Sequence, residues 1–134
     1  MADNIHVVFH LGCKGVCTDT QTAARNMLWQ GCQLLLFSGG DGTARDIYQA
    51  AGFGIPVVGI PAGVKNYSAV FAASPRKAGE LAGLFLEGQI SRLAELDVLD
   101  LDEESFRSGR LIACSLGKLR VPFDETLLQG AKLA

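Results

Sequence analysis

The strongest constraint on the fold is a short glycine-rich turn, residues 39–43, whose sequence is Gly-Gly-Asp-Gly-Thr. The segment before it, residues 32–37, is an apolar run of strand length, which is typical of a strand buried on both faces of a sheet. After the turn, apolar residues recur at helical spacing from Ala44 to Ala51, and Gly52 follows where a helix would end. The pattern predicts a strand, a tight turn and a helix, in that order.

The composition of this turn suits phosphate binding. Glycine permits a positive φ and lets the backbone approach a ligand with no Cβ in the way. The amides that follow would open a helix N-terminus, where anions bind. Thr43 is the predicted N-cap of this helix, and Asp46 stands three residues later in a position resembling that of a capping box.

Asp41 is the odd member of the turn, because a carboxylate repels phosphate unless it has a task of its own. It could serve a metal ion, a ribose hydroxyl or a proton transfer. Alternatively, the turn is a sharp strand-to-helix connection in which Asp41 only accepts backbone N–H bonds. We interpret Asp41 as the candidate catalytic residue and keep both readings open.

A second glycine segment, the loop that follows residue 60 and includes Gly63, Lys65, Asn66 and Ser68, is expected beside the first. Residues 55–60 form another short apolar run, and a right-handed crossover through the helix would make the two strands parallel. Ligands of open α/β sheets bind beyond the carboxyl ends of the strands. In the loop that follows, Lys65 could offset charge on phosphate oxygens, and Asn66 or Ser68 could donate hydrogen bonds. Alternatively, Lys65 is a solvated loop lysine and Asn66 caps a helix.

The segments before the turn predict a strand and a helix. Residues 5–9 form an apolar stretch of strand length. Asp19 or Thr20 can cap a helix that ends at Gly31 as its C′ glycine. Trp29 falls beside the apolar stripe of this helix, so we expect it to be packed.

The segments after the second loop predict two helices and then a β-rich region. Residues 66–73 are expected to form a short helix, and Ser74 with Pro75 should begin the next one, which ends at Gly88. We divide the chain into an α/β nucleotide-binding domain, residues 1–90, and the beginning of a β-rich region, residues 91–134.

Within that second region the sequence predicts a helix and a strand. Residues 102–109 begin with acidic side chains, which suit a helix N-terminus, and residues 110–121 read as a long strand or hairpin.

Composition excludes several classes of protein. The chain has 134 residues, 49% of them hydrophobic and 19% charged, with a net charge of −2. Its length allows one domain with a substantial core. Basic residues form no long run, so neither a nucleic acid nor an anionic membrane is an expected partner. No apolar run approaches the ~20 residues of a membrane span. These features predict a soluble, cytoplasmic protein.

The four cysteines form no disulfide framework. Cys32 and Cys114 lie in apolar runs and are expected to be small core residues. His10, Cys13 and Cys17 could hold a metal, but a closed zinc site needs a fourth ligand and the spacing is not a standard one. We therefore predict no protein-held metal site, and the roles of Cys13 and Cys17 stay open.

The turn also carries a family resemblance. GGDGT is the signature of the superfamily of NAD kinases, diacylglycerol kinases and sphingosine kinases, and more distantly of 6-phosphofructokinases. Residues 35–47, 59–65 and 69–72 closely resemble the ATP-NAD kinase-like branch, and the similarity extends from about Thr18 to the C-terminus. It implies an α/β fold, with a Rossmann-like parallel sheet, flanking helices and a β-rich region after about residue 90.

The resemblance implies the chemistry of a phosphotransferase. ATP or polyphosphate would be the donor, the ribose 2′-hydroxyl of NAD the acceptor, and Mg²⁺ the metal. Asp41 would act as the base or bind Mg²⁺. The residues implied in nucleotide binding are Gly39, Gly40, Gly42, Thr43, Gly63, Lys65 and Asn66. Typical NAD kinases differ in the second loop, so the acceptor stays open; a lipid kinase relative and a nucleotide-binding module without turnover are the alternatives.

Family members continue well past the position of Ala134, so the chain is expected to be a truncated member. A missing region would leave strands uncovered, and uncovered strands favour self-association. The sequence thus predicts a homo-oligomer that binds a small-molecule nucleotide.

Overall fold

The computed structural model describes residues 17–63, 65–101, 107–110 and 113–129. Within these residues, three helices and four strands alternate at first, and the chain then continues as strands. In chain order they are α1 (Cys17–Trp29), β1 (Leu35–Gly39), α2 (Asp41–Ala51), β2 (Val57–Pro61), α3 (Pro75–Leu86), β3 (Leu93–Leu101) and β4 (Ala113–Pro122).

β1 and β2 form the parallel sheet that the sequence predicts. Their register runs from Leu35 opposite Val57 to Gly39 opposite Pro61, so both strands end at the same edge. α2 is the crossover between them. A further parallel bridge joins Gly59 to the segment after the second loop. The predicted fold class, a parallel sheet flanked by helices with a β-rich region after about residue 90, is confirmed, and the later strands are antiparallel.

The core lies on one face of β1. Leu35 and Phe37 are buried, whereas Leu36 between them is 44% exposed, so the expected burial of this strand on both faces is wrong among the described residues. Phe37 meets Phe71 edge to face, with ring centroids 5.5 Å apart. Gly59 makes this contact possible, because a Cβ there would lie 2.6 Å from the Phe71 ring.

The boundaries of α2 and α3 follow local signals. Gly52 ends α2 and donates its N–H to the carbonyl oxygen of Tyr48. The hydroxyl of Ser74 accepts the N–H of Lys77 and Pro75 is the first residue of α3, as predicted. Gly88 follows this helix with a φ of 81°.

α1 departs from its predicted start. It begins at Cys17 rather than after a cap at Asp19 or Thr20, although Gly31 does follow its end with a φ of 72°. The expectation that Trp29 is packed is wrong, because this side chain is 89% exposed.

The short helix predicted for residues 66–73 does not form. The N–H groups of this segment go to partners outside it: those of Tyr67 and Ser68 to Asp41, and that of Ala69 to the carbonyl oxygen of Asp97 at 2.9 Å. A helix would need the same donors for its own carbonyls. Tertiary contacts thus override local propensity here.

β3 and β4 form an antiparallel pair that confirms the predicted long strand. The register runs from Leu93 opposite Pro122 to Leu101 opposite Ala113, with a shift between Val98 and Leu99. The helix predicted for residues 102–109 lies largely outside the described residues. The division of the chain at residue 90 stays a prediction.

Within the described ranges, the two cysteine side chains differ in burial, and neither a metal-binding cluster nor a membrane-spanning helix is found. Cys32 is half-buried against the core, but Cys114 is exposed, so its predicted burial is wrong. His10, Cys13 and the side chain of Cys17 lie outside the described residues. Among the side chains that are described, no three His, Cys, Asp or Glu residues cluster as a metal site. No helix in the described ranges has the length and apolar character needed to cross a bilayer.

Candidate functional site

The two glycine loops lie side by side. Gly39, the last residue of β1, is paired with Pro61, the last residue of β2. α2 begins only two residues after Gly39, and the second loop leaves the same edge of the sheet. The two segments that the sequence singles out are therefore brought together by the parallel register.

The N-terminus of α2 is open. Gly40 is its N-cap, with φ −118° and ψ −160°, and no side chain caps the helix. The first backbone hydrogen bond joins the N–H of Ala44 to the carbonyl oxygen of Gly40 at 3.1 Å. The three N–H groups before it, those of Asp41, Gly42 and Thr43, precede the helical ladder and carry the positive end of the helix dipole.

The predicted capping box is wrong. Thr43 is the third residue of α2 rather than its N-cap, and Asp46 is buried instead of reaching back to the helix start. The helix begins three residues earlier than expected, at Asp41 rather than Ala44, and β1 continues to Gly39. Only Gly40 separates strand from helix.

Of the turn glycines, Gly39 is needed for space, and none is needed for a positive φ. None of Gly39, Gly40 and Gly42 has a positive φ, so that part of the expectation is wrong. A Cβ on Gly39 would collide with the Thr43 side chain, whose Cβ would be 2.8 Å away. A Cβ on Gly42 would meet only a guanidinium nitrogen of Arg45, at 3.9 Å.

Gly42 thus has no packing reason to be glycine. Alanine is the better helix former by roughly 1 kcal/mol in a helix interior. A glycine that is exposed at the second position of α2, with open space in front of it, is instead what close approach of a ligand to the backbone requires.

Asp41 joins the two loops. Its Oδ1 accepts the N–H of Ser68 at 2.7 Å, and its two oxygens share the N–H of Tyr67 at 3.2 and 3.0 Å. The carboxylate does accept backbone N–H bonds, but from donors 26 and 27 residues away rather than from its own turn. A carboxylate offers about four acceptor positions, so acceptor capacity remains after two donors.

Ser68 connects this pair to β3. It is 2% exposed, and its hydroxyl accepts the N–H of Leu99 at 2.8 Å. The expectation that Ser68 donates to a ligand does not fit a hydroxyl this deeply buried. Its role in the structure is to bridge the second loop and the hairpin.

The other residues implied in binding occupy different environments. Gly63 is exposed with a φ of 82°. Lys65 is exposed, and its ammonium lies 5.3 Å from the centre of the Tyr67 ring. Asn66 is buried at 7% exposure and caps no helix. Its Oδ1 has no hydrogen-bond partner within the described part of the chain, while its carbonyl oxygen accepts the side-chain N–H of Gln129 at 3.2 Å.

A buried acid accompanies the site on α2. Burial raises the pKa of Asp46 above its ordinary value of 3.8, and the neighbouring Arg45 guanidinium partly opposes this shift. Arg45 Nε lies 3.9 Å from Asp46, and Arg45 Nη1 lies 3.7 Å from Asp100. The cation is thereby shared between two carboxylates.

Sequence reasoning missed the contacts of Tyr67 and Gln129 with the site. Neither position carries a local signal, since both act through partners distant in the chain. The adjacency of Tyr67 to the second glycine segment was the only available hint.

Comparison with known proteins gives one family. A family model described as the ATP-NAD kinase N-terminal domain matches residues 5–90, which is more than half of the chain. No curated protein and no solved structure gives a significant match.

Proposed function

The chain belongs to the family of the ATP-NAD kinase N-terminal domain, and from this membership we propose that it transfers a phosphoryl group from ATP or polyphosphate to the ribose 2′-hydroxyl of NAD. The observation that carries the proposal is the open N-terminus of α2. It places uncapped N–H groups, the space in front of Gly42 and the Asp41 carboxylate at one edge of the parallel sheet.

Phosphate binding is assigned to the backbone of the turn. The N–H groups of residues 41–43 have no helical acceptor, and the helix dipole adds partial positive charge at the same place. Gly39 and Gly40 bring the chain into this position, and Gly42 leaves room for the phosphate. The Thr43 hydroxyl lies on the first turn of α2, where it donates to a phosphate oxygen.

Asp41 is assigned to the acceptor hydroxyl. Phosphoryl transfer needs positioning and charge stabilisation more than covalent help from the protein. The two N–H bonds from the second loop hold the carboxylate in place, and its remaining acceptor capacity takes the proton of the 2′-hydroxyl. Asp41 is the catalytic residue of this proposal.

The second loop is assigned to charge and orientation. Lys65 is exposed on a flexible stem, so its ammonium can leave the Tyr67 ring and offset charge on the transferring phosphate. Gly63 and Asn66 shape the loop from which it extends. When bound, Mg²⁺ would neutralise charge on the phosphates. Asp41 is the carboxylate of this site that would help to hold it, which fits an ion held mainly by substrate phosphates.

The proposal is tested by measuring NADP formation with the purified chain. NAD is incubated with ATP or with polyphosphate, each with Mg²⁺, and product is read with an NADP-specific dehydrogenase. Asp41→Asn should abolish turnover. Asp97→Asn is the matched control, because Asp97 is a half-exposed carboxylate on β3 that bonds Ser115 and Lys118. Equal turnover in both variants would refute the assignment of Asp41.

A nucleotide-binding module without turnover is the second candidate. It is favoured by the engagement of Asp41, whose carboxylate already holds two backbone donors. Isothermal titration with ATP and with NAD separates the candidates, because a module binds without forming NADP. Diacylglycerol as a third acceptor in the same assay tests the lipid kinase alternative.

Self-association is part of the proposal. Five large apolar side chains are exposed in the described ranges, and the most exposed are Trp29 at 89%, Phe53 at 50% and Leu36 at 44%. Exposed apolar surface of this kind favours contact with a second copy. Sedimentation at micromolar concentration tests it, and a clean monomer would contradict it. The cytoplasmic location stays a prediction.

A further inference from the structure

We propose that Ser68 is a positioning residue, through which the β3–β4 hairpin sets the place of the Asp41 carboxylate. The inference rests on the proposed function only for its catalytic consequence. The structural part is a chain of two hydrogen bonds, from Leu99 to the Ser68 hydroxyl at 2.8 Å and from the Ser68 N–H to Asp41 at 2.7 Å.

The two polar groups of Ser68 have opposite partners. Its backbone N–H serves the first residue of α2, whereas its side chain serves a strand of the second sheet. The residue is 2% exposed, so water cannot substitute for either bond. Ser68 is therefore one point at which the parallel sheet and the hairpin are tied together beside the candidate site.

Leu99 stands where the hairpin departs from regular pairing. The register of β3 and β4 shifts between Val98 and Leu99. The N–H of Leu99 is directed to the Ser68 hydroxyl, and two residues earlier the carbonyl oxygen of Asp97 accepts the N–H of Ala69 at 2.9 Å. Two hydrogen bonds thus hold the second loop against β3. One is accepted by the Ser68 side chain, and the other joins backbone groups of Ala69 and Asp97.

This arrangement gives Ser68 an effect on catalysis without contact with substrate. Loss of the hydroxyl leaves the Leu99 N–H without its acceptor and frees the loop that carries the N–H groups bound by Asp41. A shift of about 1 Å in a catalytic group can lower the rate by about a hundredfold. The N–H groups at the start of α2 are untouched, so donor binding should change little.

The test compares Ser68→Ala with Ser115→Ala. Ser115 is the matched control, since its exposed hydroxyl bonds the Asp97 carboxylate on the same hairpin. Amide hydrogen exchange is followed by NMR at positions 67, 68 and 99. Ser68→Ala should accelerate exchange at position 99 and also at position 67 by about tenfold or more, because the Tyr67 N–H loses its fixed acceptor. Ser115→Ala should leave position 67 unchanged.

The kinetic arm measures kcat and KM in the NADP assay. Ser68→Ala should lower kcat by about tenfold or more and leave KM for ATP within about twofold. An equal loss in Ser115→Ala, or acceleration confined to position 99, would overturn the inference.

A reciprocal measurement covers the case in which Ser68→Ala does not fold. Asp41→Asn is then examined for exchange at Leu99, which it does not touch; faster exchange supports the link and unchanged exchange overturns it. If the wild-type chain forms no NADP, the proposed function fails, and the exchange data still decide whether Ser68 positions Asp41.

Discussion

The carboxylate of Asp41 accepts the backbone N–H of Ser68 at 2.7 Å, across 27 residues of sequence. The first residue of α2 therefore fixes the loop that follows β2. In most strand-to-helix turns an aspartate would bond the amides of its own turn. Here the carboxylate instead accepts N–H groups of the second loop and brings that loop to the same edge of the sheet.

This link predicts a measurable contribution of Asp41 to stability. Asp41→Ala should lower the free energy of unfolding by about 1–3 kcal/mol, because the buried N–H of Ser68 and that of Tyr67 lose their acceptor. Urea denaturation measures it. Asp97→Ala, which removes a half-exposed carboxylate on β3, should cost less than ~1 kcal/mol. Equal costs for the two variants would show that the Asp41 bonds do not hold the loop.

Alanine substitutions at Gly39 and Gly42, two glycines of the same turn, should have opposite effects on stability. Gly39→Ala should destabilise the fold by about 1–3 kcal/mol, because its Cβ would collide with the Thr43 side chain. Gly42→Ala should keep or slightly raise stability, since its Cβ enters open space in a helix. The same Gly42 variant should bind ATP at least about tenfold more weakly if phosphate approaches the backbone there.

Thermal unfolding and isothermal titration on both variants separate the two effects. Unchanged ATP affinity in Gly42→Ala would contradict the proposal that phosphate binds at the N-terminus of α2. A stable Gly39→Ala would mean that Thr43 can turn away without cost.

We expect a side chain larger than hydrogen at Gly59 to disrupt the packing of β2. A Cβ at this position would lie 2.6 Å from the ring of Phe71 and 3.0 Å from that of Phe37, and both rings are buried. Gly59→Ala should therefore cost about 1–3 kcal/mol in urea denaturation. Gly83→Ala is the control, because this α3 glycine has nothing within 4 Å of an added Cβ; it should stabilise by up to ~1 kcal/mol.

The sequence predicted those elements whose signals are local. The helix after the turn, its end at Gly52 and the start of α3 at Ser74 were correct because a cap or a glycine acts on neighbouring backbone. The parallel register then followed from the crossover. The superfamily signature, residues 39–43, is likewise a contiguous motif.

The errors arose where distant contacts decide. β1 extends to Gly39 because pairing with Pro61 uses the backbone and needs no apolar side chain, which moved the N-cap from Thr43 to Gly40. The irregular course of the second loop depends on acceptors supplied by Asp41 and β3. No periodicity within residues 66–73 encodes those partners.

Asp46 predicts a pH dependence of stability. Burial raises its pKa in the folded protein above the ordinary 3.8, so between these two values the native state binds more protons than the unfolded chain. The contribution of Asp46 to the free energy of unfolding is fully present below pH 3.8. It is lost as the pH rises through the pKa of the folded protein. Asp46→Asn removes the ionisation and should be more stable than the wild type at neutral pH. The weak attraction to Arg45, at 3.9 Å, offsets the gain only in part because Arg45 is 41% exposed.

Urea denaturation of both proteins across about pH 3.5 to about pH 7 measures this effect. The advantage of Asp46→Asn should be smallest at the acid end, grow as the wild-type carboxyl ionises and then stay constant. A difference between the two proteins that does not vary with pH would mean that Asp46 ionises equally in the folded and unfolded states. A variant less stable than the wild type at neutral pH would mean instead that attraction to Arg45 outweighs the cost of burying the charge.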